Sequence, residues 1–201
     1  MESDVRTSDL ELFEKAQEYK SEGNDNYKEK HYRQAIKKYH RALLHLRGIG
    51  QMKSSGLTSF APEESIQQLG FSKELPPEIQ REVISLQGDC YNNLAACLIQ
   101  VDTPNYKKII EYCDRVLELS PGSVKALYRK GISLYNLQKY EKALETLEQA
   151  KCTEKGGNDP AIKKYLHMCK QELDRQETEL KKAYKSMFSH CTAEELAKTA
   201  A

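Results

Sequence analysis

Apolar side chains recur along this chain at helical spacing, in runs broken by short polar stretches. One long run is "EIQREVISLQGDCYNNLAACLIQ", which follows Pro76-Pro77, where a helix can start, and reads as one continuous helix. Near the end, "AIKKYLHMCKQELDRQETELKKAYKSMFS" predicts a second long helix over about 160–188. Its first half carries Ile162, Tyr165, Leu166, Met168, Cys169 and Leu173, while 174–182 is mostly charged and expected in solvent. "EKGGNDP" separates that helix from the one before it.

The runs repeat. "YKSEGNDNYKEKHYRQAIKKYHRAL" (Tyr19–Leu43), "YNNLAACLIQVDTPNYKKIIEYCDRVLELSP" (Tyr91–Pro121) and "LYRKGISLYNLQKYEKALETLEQA" (Leu127–Ala150) align on Gly23, Ala95 and Gly131. With two extra residues around "DTPN" allowed in the second unit, Tyr32, Tyr106 and Tyr140 coincide, as do Ala35, Ile109 and Ala143, and Ala42, Val116 and Ala150. Small residues where two helices cross and aromatics where the second helix begins define a helix–turn–helix unit. Between the first two units, residues 48–75 hold Gly48, Gly50, Gly56, Pro62 and Gly70 and read as a loop. Its apolar residues Ile49, Met52, Leu57, Phe60, Leu69 and Phe71 either pack back on the repeats or stay unpacked.

This pattern resembles the tetratricopeptide repeat. Thirty-six residues separate Ala95 from Gly131, near the family period of about 34. The first-helix tryptophan of the family is replaced by Tyr19, Tyr91 and Leu127. The resemblance implies an all-α solenoid of three helix-turn-helix repeats with a long C-terminal capping helix. The expected organisation is a tail over 1–10, a repeat domain over 11–158, a capping helix over 159–190 and a tail over 191–201. The charged run ending in "AYKSMF" is similar to the end of the repeat domain in large FK506-binding immunophilins. "YHRALLHLRG", "CYNNLAACL" and the "MF" ending resemble the tetratricopeptide repeat protein 9 group more closely.

Composition narrows the function. The chain has 201 residues, 30% of them charged, and a net charge of +1. That balance suggests neither nucleic acid nor an anionic membrane as partner, so any anion recognition must be local. No apolar run approaches the roughly 20 residues of a membrane span. "MESDVRTSDLELFE" has no signal-peptide core, and the six cysteines form no CxxC pair, so they read as reduced thiols of a cytoplasmic protein. The five histidines show neither HExxH nor zinc spacing with cysteine, and "GIG" lacks a phosphate-loop continuation. No enzyme, cofactor or metal site is expected, and the chain is read as a monomer.

One pair of bases breaks the bland pattern. Lys125 and Arg129 lie one helical turn apart, where like charges repel by about 0.2–0.5 kcal/mol. Either both point into water or something negative lies across them. With the repeats in register, Lys20 and Asn24 form another one-turn pair, and Asn93 stands two residues before Ala95. Lys20, Asn24, Asn93, Lys125 and Arg129 are similar to the carboxylate clamp of chaperone-binding tetratricopeptide domains. The resemblance implies a co-chaperone-type adaptor that holds the acidic C-terminal tail, ending EEVD, of Hsp90 and/or Hsp70, with room for a second client protein. The alternative is a scaffold that binds a non-chaperone partner, such as a cytoskeletal protein, independently of these five residues.

Overall fold

The computed structural model describes residues 7–49, 76–153 and 156–199. Among these, seven helices and no strand are found: α1 (Thr7–Lys28), α2 (Tyr32–Gly48), α3 (Pro77–Gln100), α4 (Tyr106–Leu119), α5 (Val124–Asn136), α6 (Tyr140–Cys152) and α7 (Pro160–Thr199). The chain divides into two compact units, Met1–Ala126 and Leu127–Ala201, so the division falls inside α5. Among the described residues no helix is long and apolar enough to cross a membrane.

In the first unit α1 packs on α2, α2 on α3 and α3 on α4, and α1 also touches α3. The small residue of the repeat sets the α1–α2 approach. A Cβ at Gly23 would lie 2.6 Å from Cε1 of Tyr39, so the ring occupies the space that a side chain would need. Ala35, Ala42, Leu94, Ala95, Cys97, Ile109 and Cys113, in the same core cluster, are all buried to 0% exposure. Fully burying one of the larger of these side chains contributes about 1.5–3 kcal/mol.

The turn between α1 and α2 closes in the manner of a Schellman motif. Lys30 has φ 63°, its N–H donates to the Tyr27 carbonyl at 3.0 Å, and the His31 N–H donates to Asn26 at 2.8 Å. Tyr32 begins α2, stacked edge-on against Tyr27 with centroids 5.5 Å apart. Pro104 holds the place of Lys30 in the second repeat and cannot take a positive φ. The extra residues there bring Asn105 to cap α4, its side-chain oxygen accepting from the Lys108 N–H at 3.1 Å.

The second unit repeats the logic. Gln138 takes φ 58°, its N–H donates to Tyr135 at 2.9 Å, and that of Lys139 donates to Leu134 at 3.0 Å. Tyr140 then begins α6, and a Cβ at Gly131 would lie 2.5 Å from Cγ of Leu147. Helix α7 packs on α6 through its first half, with Ile162, Leu166 and Cys169 buried. Its start is fixed by Pro160 and by Asp159, whose carboxylate accepts from the Ala161 N–H at 2.8 Å. Tyr165 meets Tyr128 and Tyr135 edge-on at 6.0 and 5.7 Å. Farther along, exposed pairs such as Arg175–Glu179 at 3.0 Å and Lys181–Glu177 at 2.7 Å line the charged stretch.

Two expectations need adjustment and a third question is answered in part. Helix α1 starts at Thr7, so residues 7–10 are not all tail; Asp9 in the first turn suits the helix N-terminus, and Phe13 and Ala16 anchor the helix in the core. Helix α7 runs to Thr199 rather than stopping near 188, because no glycine or proline interrupts 161–199 and "AEELAK" consists of strong helix formers. Of the apolar residues in the 48–75 insertion, Ile49 packs against the core, while Met52, Leu57, Phe60, Leu69 and Phe71 lie outside the described residues.

Candidate functional site

Lys20 and Asn24 stand on one face of α1, either side of the turn that carries Gly23. Because Gly23 lets Tyr39 come close, the Tyr39 hydroxyl reaches Asn24 and donates to its Oδ1 at 2.8 Å. Asn93, on α3, donates its Nδ2 to the same oxygen at 3.0 Å, joining residues 69 positions apart. With its carbonyl oxygen held by two donors, Asn24 presents its amide N–H groups. Burial pushes the Tyr39 phenol well above its ordinary range, so it stays a donor at any physiological pH.

Lys20 is not idle. Its ammonium pairs with the carboxylate of Asp89 on α3, one turn before Asn93. The lysine side chain is 24% exposed and the aspartate 54%. The surroundings of Lys20 and the two asparagines are thus rich in N–H donors, which suit carboxylate oxygens, and one carboxylate of the protein already sits there.

The remaining candidates lie on α5. Lys125, in the first unit, is exposed in the first turn, a turn that has no acidic residue. Arg129, in the second unit, is half-buried, and its carbonyl accepts from the Ser133 hydroxyl at 2.8 Å. The structure therefore brings Asn24 and Asn93 into contact and ties Lys20 to the same helix as Asn93. Sequence reasoning missed Tyr39 and Asp89. The one-turn spacing of Asp89 and Asn93 was a usable signal; for Tyr39 it was the place one turn after the small residue Ala35.

The cysteines are mostly core. Cys90, Cys97, Cys113 and Cys169 are buried, Cys152 is exposed, and none of these five is in a disulfide. Burial pushes the Cys90 thiol up to about 12.

Paired helices with small residues at the crossings and an aromatic at the start of each second helix make this a tetratricopeptide-repeat protein. The likeness to solved structures agrees. The C-terminal tetratricopeptide-containing domain of an FK506-binding protein from Plasmodium falciparum superposes with a TM-score of 0.63 at 24% identity, over 85% of this chain and 95% of that one. The first repeat domain of Spaghetti (RPAP3), bound to the HSP90 peptide SRMEEVD, gives 0.54 at 18% identity, over 81% and 95%. Tetratricopeptide repeat protein 9C of Xenopus tropicalis is 39% identical over 173 residues, 86% of this chain and 92% of that protein. The chain belongs to the tetratricopeptide repeat protein 9 family. No family model matches it.

Proposed function

We propose that this protein is a cytoplasmic co-chaperone-type adaptor whose repeats hold the acidic C-terminal tail of Hsp90 and/or Hsp70, acting as a monomer with a further client. Its clamp residues are Lys20, Asn24, Asn93, Lys125 and Arg129. The observation that carries the reading is the Asn24–Asn93 contact at 3.0 Å, with Lys20 one turn from Asn24 and Tyr39 fixing the amide. Such an arrangement directs N–H donors at an acceptor and offers a main-chain carboxylate or an aspartate what it needs. Lys125 adds charge at the start of α5, where the helix dipole already favours an anion. The RPAP3 domain, of the same fold, is seen with a peptide of this kind.

Calorimetric titration with acetylated MEEVD peptide tests it, beside the C-terminally amidated peptide and beside Lys125→Ala. A charge-assisted hydrogen bond contributes about 1.5–3 kcal/mol, so each control is expected to weaken binding roughly tenfold or more. Absence of binding at low salt, where charge contacts are strongest, refutes the clamp. Partner binding that survives Lys20→Ala and Arg129→Ala instead identifies a scaffold whose partner does not use these residues.

A further inference from the structure

The Lys20–Asp89 pair has a consequence for ligand binding. Asp89 and Asn93 share one face of α3, a turn apart, so this carboxylate stands beside the asparagine pair. Its partner is the ammonium that the proposed clamp assigns to the ligand. The two members are unequally held. Lys20 is the more enclosed, at 24% exposure, and Asp89 the more open, at 54%. An aspartate so placed can turn to water while the lysine stays.

We infer that Asp89 is a built-in competitor: its carboxylate occupies Lys20 in the empty protein and must be displaced by the ligand's carboxylate. This rests on the clamp reading given above and adds a specificity-determining residue to it. Two effects follow from one side chain. The ligand must break an existing ion pair to reach Lys20, and the displaced Asp89 then remains as a nearby negative charge. A ligand with a single weak acceptor gains little by the exchange. A ligand that also bonds to the Asn24 and Asn93 amides has further contacts to offset it. Asp89 therefore sets a threshold that favours a carboxylate-rich chain end.

The test is titration of acetylated MEEVD peptide into the full chain as wild type, Asp89→Asn, Lys20→Ala and the double variant, at low and high salt. Asp89→Asn keeps the shape and removes the charge, and Asp89→Ser serves as a second variant should the first fold poorly. Circular dichroism melting checks that each is folded. Because partly exposed ion pairs are weak, Asp89→Asn is expected to tighten binding by about twofold to fivefold. The gain is expected to shrink in high salt and to be smaller in the Lys20→Ala background, where only the repulsion between Asp89 and the ligand carboxylate is left to relieve. Wild-type binding that prefers free acid over amide, with Asp89→Asn no tighter or weaker, overturns it and leaves the clamp standing. If no variant distinguishes free acid from amide, the clamp falls and the competitor with it.

Discussion

Gly131→Ala should destabilise the protein, and the same change should become stabilising once Leu147 is shortened. The new Cβ would lie 2.5 Å from Leu147 Cγ, 2.6 Å from Cδ2 and 3.3 Å from Cδ1. Those are the branch point and both methyls of a side chain with 0% exposure, so relief requires the helices to part or the leucine to leave its rotamer. Overpacking of this kind costs about 1–3 kcal/mol. Replacing glycine by alanine in a helix interior returns about 1 kcal/mol in propensity. The net expectation is a loss of about 1 kcal/mol. Leu147→Ala alone should cost about 2–5 kcal/mol through lost burial and a cavity. In that background the added methyl meets empty space, the clash is gone, and the propensity gain of about 0.5–1 kcal/mol should survive. Urea unfolding followed by far-ultraviolet circular dichroism, with unchanged slope, gives the four stabilities of the cycle. An equal loss from Gly131→Ala in both backgrounds would refute the idea that this glycine exists to admit Leu147.

Lys30→Gly and Gln138→Gly should each stabilise by about 0.5–1 kcal/mol, since glycine relieves the left-handed turn at a smaller entropic cost; a falling urea midpoint sinks this. Tyr39→Phe should cost about 0.5–1.5 kcal/mol in stability by removing the donor to Asn24, and calorimetry should show weaker binding of the acidic peptide. Native-state alkylation mapped by mass spectrometry should label Cys152 well before Cys90, Cys97, Cys113 or Cys169. Cys90 also predicts an alkaline loss of stability. Its folded value is raised from 9.0 to about 12, so the folded and unfolded thiols are alike below pH 9, and above it only the unfolded chain ionises. Stability should therefore fall as pH rises through that window, less steeply in Cys90→Ala, as read by urea midpoints.

The fold was legible because each repeat encodes its crossing twice. The small residues Gly23, Ala95 and Gly131 were visible as a register; the residues one turn after Ala35, Ile109 and Ala143, namely Tyr39, Cys113 and Leu147, recur at one spacing too but were not singled out. The tyrosines at 32, 106 and 140 each prove to be the first residue of their helix. What the pattern could not place were the helix ends. Residues 7–10 and 191–199 lack a repeat to align with, and their helical state depends on propensity and caps rather than on a shared crossing.

The site was legible only as far as a single helix can be read. Lys20 with Asn24, and Lys125 with Arg129, are one-turn pairs that any helical wheel reveals. Which carboxylate balances Lys20 is a question about another helix, and no spacing within α1 answers it. Asp89 is 69 residues away, and its role follows from the contact of α1 with α3, which Gly23 and Tyr39 do not set alone. The same holds for Asn24, whose amide orientation depends on a hydroxyl 15 residues on and an amide 69 residues on. Donor identity is thus a property of sequence, and donor direction a property of packing. A variant that changes packing without touching a donor separates the two. In Gly23→Ala the added Cβ would lie 2.6 Å from the Tyr39 ring, so the hydroxyl must move off Asn24. Peptide affinity should then fall although Lys20, Asn24, Asn93, Lys125 and Arg129 are all intact. Unchanged affinity in a folded Gly23→Ala protein would show that Tyr39 does not orient the site.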